Sequence, residues 1–161
     1  MKAAKQNKKV AIIMGSKSDH PIMKECEKIL KVFKIKYEVF IISAHRTPQR
    51  MYEFAKHASN KGFAVIIAGA GGSAHLPGMV ASLSLLPVVG VPIESKKLKG
   101  LDSILSLVCL PKGCPLATMP INGAYNAGLY AAEIIGTYNS NVRNSLKQWK
   151  KKQAKSIKQK P

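Results

Sequence analysis

His45 and Arg46 stand side by side in Ser43-Ala44-His45-Arg46-Thr47-Pro48, a polar hexapeptide that follows the apolar run Val39 to Ile42. An imidazole gives or takes a proton near neutral pH, and a guanidinium grips phosphate through a planar fork. The pair therefore suits acid–base chemistry on an anionic substrate. Thr47 has the side chain of an N-cap and Pro48 the fixed φ of a first helical position, which predicts that Ser43 to Arg46 form the turn between a strand and a helix. Ligands of open α/β sheets collect at the carboxyl ends of strands, so this turn is the candidate catalytic one.

Two further loops carry matching chemistry. Gly15-Ser16-Lys17-Ser18-Asp19 offers two hydroxyls, a lysine and backbone N–H groups ahead of a helix, all suited to a phosphate or ribose, without the Walker spacing. Ser18 or Asp19 can equally satisfy the first helical amides, and the two uses are compatible. Gly69-Ala70-Gly71-Gly72-Ser73-Ala74-His75-Leu76-Pro77-Gly78-Met79 places three glycines within four residues. Such bare backbone lets a planar ligand approach and points amides at an anion, a plain flexible turn being the alternative. His75 lies in an apolar stretch, where a histidine is either a hydrogen-bonded structural residue or a ligand contact. His20 and His57 are expected on the surface.

The elements that must position these loops follow from periodicity. Val10 to Met14 is a continuous apolar run, as in a strand covered on both faces. Pro21 opens a helix with Met23, Cys26, Ile29, Leu30 and Phe33 at three-or-four spacing. Tyr37 to Ile42 is a second strand. The helix from Pro48 to about Lys61 aligns Met51, Phe54, Ala55 and Ala58, and Phe63 to Ala68 is a third strand. Right-handed crossovers then give a parallel sheet with the loops after Met14, Ile42 and Ala68 on one edge. Beyond them come a helix from Met79 to Leu86, a strand Val88 to Pro92 stopped by its proline, and a lysine-rich loop over 94–100. A short helix from Leu101 or Asp102 to Val108, a connector over Leu110 to Pro115 and a short strand within Leu116 to Met119 follow. The helix Asn122 to Tyr138 is rich in small residues, Ala124, Ala127, Gly128, Ala131 and Ala132, which permit close packing on another helix or subunit. Val142, Leu146 and Trp149 are the main apolar residues of the basic segment after it. That spacing predicts an arm that packs on another subunit and tails into disorder after about Lys151, against the alternative of a lone solvated tail. The expectation is one domain over 1–161, with an α/β core over 9–138 and a C-terminal helical arm over 139–161.

At 161 residues and 46% hydrophobic content the chain can build one core. Its 26 Lys+Arg against 8 Asp+Glu, a net +18, raise the question of a polyanionic partner. The charge is concentrated at the two ends without interleaved aromatics, so no nucleic-acid partner is expected, though small anionic substrates would benefit. Cys26, Cys109 and Cys114 form no C-x-x-C pair and no metal-like spacing with the histidines, which argues against a disulfide framework or a zinc site. The basic start lacks a long apolar run and no stretch could span a bilayer, so a soluble cytoplasmic protein is expected.

Together, the loops Gly15 to Asp19, Ser43 to Pro48 and Ala68 to Met79 closely resemble the 5-(carboxyamino)imidazole ribonucleotide mutase family. Val89-Gly90-Val91-Pro92, Leu110-Pro111-Lys112-Gly113 and Pro115-Leu116-Ala117-Thr118 also look like family segments, extending the resemblance over about residues 9–138. It implies a flavodoxin-like three-layer α/β/α subunit, assembled as a homo-octamer whose sites are completed by neighbours. It also implies a carboxylate transfer in purine biosynthesis that needs no cofactor, metal or ATP. On that resemblance His45 shuttles the proton, Ser16, Ser18 and Arg46 hold the substrate's phosphate, and Asp19 serves the ribose or its surroundings. Ser43, Ala44, Ala70, Gly71 and Gly72 shape the pocket, and His75 and Leu76 border the base and carboxylate. Ser73, Pro120 and Tyr125 depart from the family's usual residues. The nearest rival is an aminoimidazole ribonucleotide carboxylase using free carbon dioxide, from which His75-Leu76-Pro77-Gly78-Met79 distinguishes this chain. A non-enzymatic flavodoxin-like nucleotide-binding protein is the reading from another class.

Overall fold

The structure, a computed structural model, describes residues 8–158. Five strands, β1 (Lys9–Met14), β2 (Tyr37–Ile41), β3 (Phe63–Gly71), β4 (Val88–Ile93) and β5 (Ala117–Thr118), form one sheet in the order β2-β1-β3-β4-β5. Every pairing is parallel. The helices are α1 (His20–Val32), α2 (Pro48–His57), α3 (His75–Leu83), α4 (Leu101–Val108), α5 (Ala124–Gly136) and α6 (Ser140–Ser156). This is the flavodoxin-like doubly wound order, in which the chain reverses its direction of travel between β1 and β3 and leaves a crevice at their carboxyl ends.

Alternation along β1 explains its unbroken apolar run. Val10, Ile12 and Met14 face α1, α5 and α6, whereas Ala11 and Ile13 face α2, α3 and α4. Met23, Cys26, Ile29 and Leu30 of α1 are completely buried, each large side chain contributing about 1.5–3 kcal/mol of transfer free energy. The small residues of α5 serve a contact within the chain. A Cβ on Gly128 would collide with Ile29 and lie 3.0 Å from the Cys26 carbonyl oxygen, so α5 can sit this close to α1 only with glycine there. Burial pushes the Cys26 thiol well above the usual cysteine range, and it donates to the Ala124 carbonyl at 3.0 Å.

Several boundaries differ from expectation for local reasons. α2 ends at His57 rather than near Lys61, because the chain turns through Ser59 to Gly62, with the Gly62 N–H on the Ser59 carbonyl. β3 continues to Gly71, pairing Ala70 with Pro92 and Gly71 with Ile93, so two of the loop glycines belong to a strand. α3 starts at His75, four residues earlier than expected. Pro77 fits its first turn, where a backbone N–H has no partner to lose, and the helix stops at Leu83 as Ser84 becomes extended. Pro92 does not stop β4. Its carbonyl faces the side where β5 has already ended and accepts the Asn122 N–H at 2.8 Å, so the missing N–H disturbs no ladder.

The largest correction concerns 139–158, residues 159–161 lying outside the described part of the chain. α6 does not await another subunit to bury its apolar stripe: Val142 and Leu146 enter the core of their own chain, and Trp149 meets Phe33 edge-on at 6.2 Å between ring centroids. The helix also continues through Ser156 rather than fraying after Lys151. Asn139 caps it by accepting the Asn141 and Val142 N–H groups, and Arg143 donates to the Gly136 and Thr137 carbonyls at the end of α5. α5 and α6 thus form a helical hairpin closed by a short polar corner.

Candidate active site

The loops after β1, β2 and β3 meet over the switch point. After β1, Ser16 accepts the Ser18 N–H, while the Asp19 carboxylate accepts the Ser16 N–H at 3.0 Å. The turn is therefore capped by Ser16 and Asp19 together. Asp19 does not cap α1 itself, and no side-chain bond does. Burial pushes the Asp19 carboxyl above its ordinary value, against the opposing pull of the Ser16 N–H, the Ser18 hydroxyl and Arg46.

After β2, Thr47 occupies the N-cap position of α2 without capping it. Its hydroxyl turns back, accepting the Ser43 N–H at 3.0 Å and donating to the Ser43 carbonyl at 2.9 Å. That closes Ser43 to Thr47 into a rigid ring and frees the Ser43 hydroxyl, which accepts the Arg46 backbone N–H and Nε–H. The Arg46 guanidinium also reaches the Gly15 carbonyl at 3.2 Å, so the second loop is tied to the first.

After β3, Gly72 takes the left-handed conformation, φ +68°, that lets the wall turn into α3. His75 then stands at the head of α3, with its Nδ1 2.8 Å from His45 Nε2 and the two rings crossing at 80°. One of these nitrogens must donate and the other accept, so the pair sets the tautomer of both imidazoles. His75 is therefore both a hydrogen-bonded residue and a cavity residue. His20 and His57 lie elsewhere, against Glu27 and Glu53.

A cavity of about 470 Å³ opens between the loops, a volume in the range of small-molecule sites. Ser16, Ser18, Asp19, Ser43, Ala44, His45, Arg46, Ala70, Gly71, Gly72, His75 and Leu76 all line it. Lys17 points instead into a neighbouring groove beside Arg46 and Arg50. Sequence reasoning missed Ile93, Glu94 and Ser95, which complete the far wall at the tip of β4. A signal is present in the sequence: the fourth strand ends on the same edge as the first three, although lysines dominate the segment after its tip. Glu94 is held by Asn122, which accepts its backbone N–H and donates to its carboxylate. Among the described residues, no group of three or more His, Cys, Asp or Glu side chains is placed to hold a metal. No helix among them is long and apolar enough to cross a membrane.

The fold and this edge define a flavodoxin-like domain whose switch-point cavity joins a guanidinium and serine hydroxyls to a pair of coupled imidazoles. Comparison with known proteins is specific: the chain belongs to the AIR carboxylase family, matching it over residues 9–156. It is 54% identical to the N5-carboxyaminoimidazole ribonucleotide mutase of Pyrococcus horikoshii over 151 residues, 94% of this chain and 85% of that relative. The Aliivibrio fischeri mutase is 50% identical over 155 residues, covering 95% and 96% of the two chains. A crystal structure of Treponema denticola PurE superposes with a TM-score of 0.84 at 30% identity, covering 92% of each chain.

Proposed function

We propose that the chain catalyses the mutase reaction for which its relatives are named, converting 5-(carboxyamino)imidazole ribonucleotide to 4-carboxy-5-aminoimidazole ribonucleotide in purine biosynthesis. The observation that carries this reading is the identity of about half the residues with curated mutases over nearly the whole chain, which includes the loops of the cavity.

The chemistry requires a proton at the exocyclic nitrogen as the carbamate N–C bond breaks and carbon dioxide leaves. Ring carbon four then attacks the carbon dioxide, and loss of its own proton restores the aromatic ring. One base can give the first proton and take back the second, so the cycle closes without net proton exchange. His45 is that group, and His75 holds its Nε2 and fixes the ring's direction. Arg46, Ser16 and Ser18 bind the phosphate and Asp19 the ribose side. Ser43, Ala44 and the Ala70 to Gly72 wall retain carbon dioxide between release and recapture, with Leu76 closing the floor. Retention needs water kept out. His45 and His75 are exposed in the single chain, and on the family resemblance neighbouring copies in a homo-octamer close the site. A groove between α2 and α3, lined by Met51, Tyr52, Met79 and Leu83, supports such assembly with its apolar surface. The cytoplasm is the proposed location.

The direct test is turnover of the carbamate nucleotide by the purified protein. Equal turnover of the unsubstituted aminoimidazole ribonucleotide at low bicarbonate would instead establish the carboxylase reading. His45→Asn is expected to bind nucleotide with little change while kcat falls by at least about 100-fold, since the shuttle acts on the transition state. Turnover near that of the unsubstituted protein would remove His45 from the mechanism.

A further inference from the structure

Ser103 is the one polar residue that is buried among those described. It is the third residue of α4, where a serine hydroxyl ordinarily turns to its own helix or to water. Here Oγ donates to the Ile93 carbonyl at 2.6 Å and accepts the Gly72 N–H at 2.9 Å. A single hydroxyl thereby clasps the ends of β3 and β4, and both residues it joins line the cavity. The turn of helix that presents it is itself fixed: Asp102 Oδ1 accepts the Ser103 N–H at 2.9 Å and the Ser95 hydroxyl at 2.8 Å.

We propose that Ser103 is a positioning residue for the reaction inferred above, aiming the Gly71 carbonyl into the cavity as the acceptor for the substrate's exocyclic nitrogen. The peptide between Gly71 and Gly72 is trans, so its C=O points opposite to its N–H. With the N–H held toward β4 by Ser103, the carbonyl faces the β1 side. The β1–β3 ladder has already ended at Gly69 there, so the carbonyl opens onto the switch-point crevice. The exocyclic nitrogen bears hydrogen both in the carbamate and in the amine left when carbon dioxide departs. A fixed acceptor can hold it through both states and keep ring carbon four facing the retained carbon dioxide. Without the clasp, the amide at left-handed Gly72 is free to rotate and the acceptor is lost.

The test compares Ser103→Ala with the unsubstituted protein in two measurements. Hydrogen exchange should show the Gly72 amide losing protection by at least about 10-fold while amides in β1 are unchanged. With the carbamate nucleotide, kcat/KM should fall about 10- to 100-fold, and a larger share of substrate should end as free carbon dioxide and aminoimidazole nucleotide. Leu107→Ala, in the same helix and away from the cavity, serves as the control: it should lower stability without changing that share. If Ser103→Ala does not fold, Ser103→Cys keeps the branching of the side chain with a larger atom that is a weaker donor and acceptor, and should shift both readouts in the same direction. Unchanged Gly72 protection, or an unchanged share of lost carbon dioxide, overturns the proposal. If the unsubstituted protein leaves the carbamate nucleotide unconverted, the reaction reading fails, and the exchange result still decides whether Ser103 holds the peptide.

Discussion

Leu146→Ala tests whether α6 is an integral layer of this domain. Leu146 is 7% exposed and belongs to the same cluster as Ile135 of α5 and Phe33 after α1. The substitution removes three carbons, worth about 2.4 kcal/mol at about 0.8 kcal/mol each. A cavity adds to this, but α6 is the outermost layer and can settle inward, which keeps the total near the low end of the Leu→Ala range, about 2–3 kcal/mol. For a chain of this size that loss corresponds to a fall in Tm of about 4–12 °C. The assay is thermal unfolding over a wide range of protein concentration, with mass measured by light scattering alongside. The expected fall is independent of concentration and leaves the measured mass unchanged. A fall that appears only on dilution, together with loss of mass, would refute the reasoning and seat α6 on another subunit. A change below about 1 °C would mean that the helix is not seated at all.

Asp19→Asn keeps an acceptor for the Ser16 N–H and removes the titrating group. The folded-state value lies above the ordinary carboxylate one, so the folded chain holds its proton longer and the native state loses stability as pH rises from the ordinary value through the raised one. The Tm difference, unsubstituted minus variant, should therefore be largest at the acid end of that window and shrink as pH rises; growth with pH would contradict the burial argument. Arg46→Ala removes the proposed phosphate grip and the link to the Gly15 carbonyl, and should raise KM by at least about 10-fold with a smaller effect on kcat. Unchanged affinity for the nucleotide would take Arg46 out of the phosphate site.

Much of the fold was legible because the two-sided burial of a parallel sheet leaves a strong mark. Val10 to Met14 and Val88 to Val91 read as unbroken apolar runs, and the helices between them carry three-or-four periodicity. Once the strands are placed in parallel, their carboxyl ends must share an edge, which is why the loops of His45, Ser16 and Gly71 group together on sequence alone. Boundaries were less legible where the residue type misleads. Glycine normally marks the end of a strand, yet Gly69 and Gly71 continue β3 because β4 pairs with them through Ile93. Proline normally ends a strand, yet Pro92 stands inside β4 because no strand flanks it on the affected side. In both cases a neighbour distant in sequence overrides the local preference.

The same limit explains Thr47 in the site and α6 in the tail. Thr47 has a capping side chain, but its hydroxyl is drawn to Ser43, four residues back, where one oxygen satisfies an N–H and a carbonyl at once. The basic composition of 139–161 predicts an arm that packs on another subunit, since a stripe of three apolar residues cannot make a core of its own. Its home is a groove that exists only after α5 has packed on α1, with Phe33 at its edge. Ser103 is the extreme case. Nothing around it in Leu101-Asp102-Ser103-Ile104 distinguishes it from a solvent-facing helix serine, and its partners lie 10 and 31 residues upstream. A buried hydroxyl becomes informative only when both of its bonds can be seen, because burial without them would destabilise the helix that carries it. Here both bonds end on the wall of the cavity, so the geometry that satisfies Ser103 is also the geometry that shapes the site.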